Sequence, residues 1–348
     1  MPAEIEDRPL PFSDWMARAL FAPGTGYYSA RIKTVGRHGD FSTSATLAPL
    51  LGQAVARWIV GELAREKGIR AVIEVGGGDG SLSHGVRQAL GWWRRRSLAW
   101  HMVETSPVLR ERQQERLRGS GVQWHETLPD ALAATQGRAL IFHNELVDAF
   151  PVTLLQWDAL QQSWQEVALR KTGVGLWEEH LQPPSLTPES ASQFSALRHW
   201  HAAQPPSQPK QRVELQSTFR DWLHSWSPLW KAGSMLTIDY GDTFPALYHR
   251  RPQGTLRAYL LHQRLTGREV YQNMGRQDIT ADVNFTDLMA WGVALGWQEG
   301  ALQTQRQFIF SHLPHLERRL GRDGGNAAVA DPDGAGEAFK VWTVRAGS

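Results

Sequence analysis

The stretch Ala71-Val-Ile-Glu-Val-Gly-Gly-Gly-Asp-Gly80 decides the fold. It reads as an apolar strand that ends in glycines, which let the backbone turn tightly and approach a ligand with no Cβ in the way. Leu82, Val86 and Ala89 then follow at helical spacing. The same pattern repeats downstream: a strand over Leu98–Val103, a helix over Pro107–Leu117, a strand over Val122–Trp124, a short helix near Ala131 and a strand over Ala139–His143. Strands alternating with helices imply a parallel sheet with right-handed crossovers. The expected fold class is therefore α/β: a Rossmann-like, mostly parallel sheet with an N-terminal helical segment and inserted hairpin and helical elements.

Outward from this centre, four segments are expected. Residues 1–68 mix loops at Pro23–Gly26 and Gly36–Gly39 with a helix stripe of Leu47, Leu50, Leu51, Val55, Trp58 and Ile59, and should contribute to the cofactor and substrate site. Residues 69–151 form the first half of the core. Residues 152–212 are an insertion serving as a substrate lobe, with a hairpin of Leu154–Trp157 and Glu166–Arg170 before Pro/Gln/Ser-rich sequence. Residues 213–348 complete the core. In them Leu215, Phe219, Trp222, Leu223, Trp226 and Trp230 share a helix face, Met235–Ile238 is a strand, and Asn284, with Asp287 three residues on, starts a helix. Gln307–Phe310 and Phe339–Val344 read as further strands, and a mobile loop is expected near 321–336, with a turn at Asp331-Pro-Asp-Gly334.

Composition removes several classes of function. The chain of 348 residues is 41% hydrophobic and 21% charged, and no apolar run approaches the roughly 20 residues that span a bilayer, so membrane insertion is not expected. With no cysteine there can be no disulfide, thiolate zinc site, iron–sulfur cluster or cysteine nucleophile. A net charge of only +2 is a weak argument for nucleic acid, none is expected as a partner, and the one dense basic run, Trp92-Trp-Arg-Arg-Arg96, reads as a solvated loop. Most of the 16 tryptophans fall on apolar faces and belong to the core. The opening residues, with Glu4, Glu6 and Asp7, lack a signal or transit pattern, so a cytoplasmic protein is expected. No metal site is expected, because His199-Trp-His201 and His312-x-x-His315 have no carboxylate at ligand spacing. Serine-hydrolase elbows and P-loop strings are missing.

Glycine spacing then discriminates between cofactors. A dinucleotide fingerprint needs glycine three residues after Gly78, where Ser81 stands; Glu74, Gly76, Gly78 and Gly80 instead fit the E-x-G-x-G-x-G form of class I methyltransferases, which use S-adenosylmethionine. The second strand ends at Glu104, where Rossmann-like folds place a carboxylate that accepts from ribose hydroxyls. Thr105-Ser106-Pro107 supply a helix cap beside it. His125 and Glu126, after the third strand, fall where adenine contacts are made. After the fourth strand, Asn144 and Glu145 should lie near Gly76 and the reacting methyl group, with Asp148 a helical turn further on as helper. Two other readings compete: a non-catalytic assembly factor that only binds the cofactor, and an NAD-dependent oxidoreductase, which Ser81 disfavours.

These residues resemble the MidA-like methyltransferases, whose mitochondrial members assist respiratory complex I assembly by dimethylating an arginine of a core subunit. The resemblance rests on Gly26-Tyr-Tyr28, Gly39-Asp-Phe41 with Thr43-Ser44, Pro49, Gly52, the glycine loop, Val103–Pro107 with Leu109-Arg110, and Asn144-Glu145-x-x-Asp148-Ala-x-Pro151. It continues through Asp239-Tyr-Gly241, Gly254-Thr-Leu-Arg-Ala258 and Asp278-Ile-Thr-Ala281. It implies a protein substrate modified on arginine, complex I as the setting, and Gly39, Asp40, Phe41, Thr43 and Ser44 as further cofactor-side residues. The chain departs from the family at Ala45-Thr46, Leu51, Asp282 and Asn284. Oligomeric state is not read from these residues.

Overall fold

The computed structural model describes residues 8–31, 49–173, 175–200, 205–261, 263–316 and 329–347. The expected Gly36–Gly39 loop and residues 321–328 of the expected mobile loop lie outside them. Two compact units divide the chain. One comprises residues 32–146, 223–241 and 292–348, and the other 1–31, 147–222 and 242–291. These boundaries cut across the four contiguous segments expected from the sequence, because residues far apart in the chain pair within one sheet or pack on one helix.

The first unit carries the glycine loop. Its strands are β1 (Ala71–Val75), β2 (Ala99–Val103), β3 (Val122–His125), β4 (Leu140–Asn144), β5 (Ser234–Asp242), β6 (Gln298–Thr304) and β7 (Phe339–Arg345), in the order 3-2-1-4-5-7-6. β3, β2, β1, β4 and β5 pair in parallel, while β7 runs antiparallel to both neighbours. Glu74 on β1 lies opposite Met102 on one side and Phe142 on the other, and Ile238 of β5 lies opposite Asn144 of β4. This is a Rossmann-like class I arrangement, with strand order reversing between β1 and β4, the place where open α/β sheets bind ligands.

Among the described residues, helices α1 (Pro49–Arg65), α2 (Ser81–Ala89), α3 (Gly91–Ser97), α4 (Pro107–Arg116), α5 (Leu128–Ala134), α6 (Gln305–His312) and α7 (Ala335–Ala338) belong to this unit. Leu51, Ile59, Val72, Val86, Leu140, Phe142, Leu236, Ile238 and Val341 belong to one continuous apolar core. A Cβ on Gly52 would stand 3.1 Å from the Gly85 backbone, so α1 and α2 approach as closely as they do only through these glycines.

Two expectations are corrected here. Gln307–Phe310 is helical within α6: the short apolar run is ambiguous in period, and Thr304 with Gln307 forms a capping box that starts a helix. Trp92–Arg96 is solvated as expected but is helical within α3. Arginine is a good helix former, and Arg96 stacks 4.8 Å from the Trp92 ring one turn away. The Asp331–Gly334 turn is present, closed by the Gly334 N–H on the Asp331 carbonyl at 3.2 Å.

In the second unit, strands Thr153–Asp158 and Ser163–Lys171 form the expected hairpin. They join Leu10–Pro11, Trp177–Gln182 and Arg212–Leu215 in a five-stranded antiparallel sheet. Arg257–Leu260, Gln263–Leu265 and Asp278–Thr280 form a three-stranded sheet. The Phe12–Phe21 helix contributes Phe12 and Trp15 to an aromatic cluster with Tyr271 and Trp177.

Candidate active site

The glycine loop leaves β1 with Gly76, Gly78 and Gly80 all at positive φ, between 53° and 81°, the region in which only glycine is unstrained. The Gly76 N–H donates to the Val103 carbonyl at 3.0 Å and ties the loop to the end of β2. Among the described residues nothing stands within 4 Å of where a Cβ on Gly78 would project, so they leave this side of the loop open.

Around the open glycine the carboxylates fall into distinct roles. Asp79 accepts from the Ser81 N–H at 3.0 Å and from Arg116 at 2.7 Å, which fixes the loop to α2 and α4. Glu74 is buried and accepts from the Ser83 hydroxyl, itself held by the Trp100 indole at 2.8 Å. Burial pushes Glu74 up to about 8, with the Ser83 hydrogen bond opposing and the charges of Asp79 and Glu104 adding to it. Its carboxyl group supports the loop from beneath.

Glu104 follows β2 with its carboxylate buried. It accepts from the Ser106 N–H and from Gln113 Nε2, each at 2.9 Å. Burial raises it to about 7, opposed by these two donors. Ser106 also caps α4 with Pro107 at its first turn, as expected, while Thr105 is exposed. The same Gln113 amide donates to the Gly78 carbonyl at 2.8 Å, and its oxygen accepts from Trp124 Nε1 at 3.1 Å. Glu104 and the glycine loop are thus one hydrogen-bonded assembly through a glutamine absent from the sequence-predicted site; nothing in the polar run of α4 marks it.

His125 and Glu126 diverge. His125 lies 2.9 Å from His101, ring nitrogen to ring nitrogen, and burial lowers both imidazoles, His101 to about 4. Glu126 points to solvent, with Arg110 at 4.0 Å.

After β4, Glu145 adopts φ 53°, a left-handed conformation costing an ordinary residue about 1–2 kcal/mol. Two backbone N–H groups are tied down on either side of this turn: the Glu145 N–H donates to the Ile238 carbonyl at 2.9 Å and the Leu146 N–H to the Asp239 carboxylate Oδ2 at 3.2 Å. Its two carboxylate oxygens are then held separately, one by Asn144 Nδ2 and one by the Tyr240 hydroxyl, both at 2.9 Å. Tyr240 packs on Phe339, its opposite number on β7, with ring centroids 4.1 Å apart. Leu146 sits beneath Gly76, where a Cβ would come within 2.7 Å of its methyl group. The structure therefore brings together Gly76, Gly78, Glu104, Asn144 and Glu145. It adds Gln113, Asp239 and Tyr240, the last two signalled only by the Asp239-Tyr-Gly241 motif.

Asp148 falls in the other unit and not on a helix: residues 147–150 are bends and turns. There it is buried, its carbonyl accepting from the Ala281 N–H at 3.1 Å. Burial, then the charges of Asp278 and Asp148, raise the Tyr28 hydroxyl, which donates to Asp278 at 2.7 Å. Three motifs of the family resemblance meet at this point. The departures at Asp282 and Asn284 have local partners: Asp282 pairs with Arg257 and Arg251, and Asn284 bonds Ser195 and Asp287 at 2.9 Å. Gly39, Asp40, Phe41, Thr43, Ser44, Ala45 and Thr46 lie outside the described residues.

A carboxylate has about four acceptor positions, and among the described residues the Ser106 and Thr105 N–H groups and Gln113 Nε2 donate to Glu104, so it retains capacity for a ribose hydroxyl beside the face at Gly78. The residues present fit a nucleoside cofactor, and the strand order with this loop defines a class I methyltransferase. The chain belongs to the family described as "Putative S-adenosyl-L-methionine-dependent methyltransferase", whose model matches residues 54–300. This is the MidA-like family of S-adenosylmethionine-dependent enzymes. The chain is 27% identical over 309 residues to a Caenorhabditis elegans protein named "Protein arginine methyltransferase NDUFAF7 homolog, mitochondrial", covering 80% of this chain and 67% of that one. The Xenopus laevis protein named "Protein arginine methyltransferase NDUFAF7, mitochondrial" is 23% identical over 97% of this chain and 81% of its own length. A Burkholderia thailandensis "likely methyl transferase", solved with S-adenosyl-homocysteine bound, superposes with a TM-score of 0.81 at 25% identity, over 98% of this chain and 89% of that one.

Proposed function

We propose that this enzyme methylates an arginine side chain of a protein, with Glu145 positioning the acceptor. When bound, the cofactor supplies a methyl group made electrophilic by its sulfonium. Gly76, Gly78 and Glu104 would hold it, and Gln113 keeps Glu104 and the loop in register. An arginine guanidinium is charged and delocalised at neutral pH, hence a poor nucleophile until a carboxylate orients it and localises electron density on one nitrogen. Glu145 is suited to this role because its backbone is set by β5 and its two oxygens are aimed by Asn144 and Tyr240. This doubly held carboxylate, at a strained residue next to the glycine loop, is the observation that carries the proposal. The relatives' names supply arginine as the acceptor, and the family resemblance extends the proposal to a respiratory complex I subunit as target.

The test uses lysate from a strain lacking this protein, incubated with the purified protein and radiolabelled S-adenosylmethionine. Labelled protein yielding methylarginine on hydrolysis supports the proposal. Label recovered as another methylated residue refutes the arginine assignment.

A further inference from the structure

α3 has no part in the site described above, yet its composition is the most unusual on the surface. Of the 16 tryptophans, only Trp92 and Trp93 are exposed, at 49% and 79%. Their rings meet edge to face with centroids 4.4 Å apart, and the Arg96 guanidinium covers Trp92. Arg94, Arg95 and Arg96 complete the two turns, and no ion pair to a carboxylate engages them among the described residues. Burial and, after it, the charge of nearby Arg95 lower Arg87 on α2. The helix buries none of its residues, so packing within the chain does not account for two adjacent tryptophans there.

We propose that α3 is a docking foot for an anionic phospholipid surface. Tryptophan is the side chain that settles at headgroup depth, apolar ring inward and indole N–H outward, and arginine is attracted to the negative potential of acidic lipids. Two indoles in edge-to-face contact, with Arg96 over one of them and Arg94 and Arg95 on the same two turns, combine the side chains that a layer of acidic headgroups attracts. A single-stranded nucleic acid instead needs a basic groove that tracks several nucleotides, and three adjacent arginines make a point rather than a track. α2 runs from the glycine loop to this foot, its nine residues spanning about 13 Å, so docking would hold the cofactor loop one short helix from the bilayer.

The experiment is co-sedimentation of the full chain with vesicles of phosphatidylcholine alone and of phosphatidylcholine containing one-third phosphatidylglycerol. Each basic residue near such a surface is worth about a fivefold gain, so W92S/W93S and R94Q/R95Q/R96Q serve as separate variants and the second should bind anionic vesicles at least ~10-fold more weakly. All substituted side chains are exposed, apart from the half-buried Arg95, and both variants should keep the wild-type melting temperature and S-adenosyl-homocysteine affinity. Anionic-selective sedimentation that falls with salt and is lost in both variants is the expected result. The proposal is overturned if the wild type ignores anionic vesicles, or if both variants bind them as well as wild type. It is also overturned if a labelled single-stranded oligonucleotide binds more tightly than vesicles and loses binding in the same variants.

Discussion

The proposed contact of Glu104 with a ribose hydroxyl gives cofactor binding a pH signature that can be calculated. Burial places its carboxyl group at about 7, against an ordinary 4.5. Ribose hydroxyls are hydrogen-bond donors and favour the ionised form, so binding at lower pH must first remove the proton. With a value near 7, the ionised fraction falls from about nine-tenths at pH 8 to about one-tenth at pH 6, and cofactor affinity should fall about tenfold, or about 1.4 kcal/mol. Glu104→Gln keeps the shape and cannot ionise. It should bind more weakly than wild type at pH 8 by roughly 1–3 kcal/mol, the margin between a charged and a neutral acceptor at a ribose hydroxyl. Calorimetric titration of S-adenosyl-homocysteine at both pH values, on both proteins, checks this, since titration of the ligand's own amino group is common to the two. A wild-type affinity that does not change with pH, or an equal pH slope in Glu104→Gln, would refute the reasoning.

Further outcomes follow from the same geometry. Glu74, held near 8 in the fold, binds its proton more tightly folded than unfolded, so stability is lost as pH rises from about 4.5 through 8; Glu74→Gln should remove that loss, worth roughly 3–5 kcal/mol at most, in melting curves taken across this range. Gly77→Ala should destabilise by about 1–3 kcal/mol in denaturant titration, because its Cβ would meet Met102 at 2.5 Å and Glu74 at 3.0 Å. Gly78→Ala meets no atom of the described residues; it should cost only about 1 kcal/mol in stability but at least about tenfold in cofactor affinity, and equal affinity would show that the open face is not the binding face. Tyr240→Phe should leave cofactor affinity unchanged and lower turnover about tenfold by releasing one oxygen of Glu145, whereas unchanged turnover would make the tyrosine a packing residue only.

What the sequence showed and concealed has physical causes. Strand periodicity and glycine spacing are local, so β1 to β4, the loop and Glu104 could be read directly. Gln113 could not, since its role depends on β2 and α4 converging on Gly78 and its neighbours are equally polar. The strain at Glu145 and the grip of Tyr240 come from pairing between β4 and β5, with Glu145 and Tyr240 95 positions apart, and no spacing rule reaches that far. Gln307–Phe310 shows the opposite case: the Thr304–Gln307 capping box is visible in the sequence, but the apolar run outweighs the cap when only local pattern is read. The second unit is legible in part, its hairpin from alternation. Its assembly from residues 1–31, 147–222 and 242–291 follows strand pairing that leaves no local trace.

If Glu145 positions the acceptor, it serves the transfer and not the binding of the methyl donor. The decisive measurement is methyl transfer to the protein labelled in the deletion lysate, compared for wild type and Glu145→Gln at saturating S-adenosylmethionine. Glu145→Gln should bind the cofactor within a few-fold of wild type and lose most of its turnover, at least about a hundredfold. Wild-type turnover in a folded Glu145→Gln enzyme would contradict the assignment.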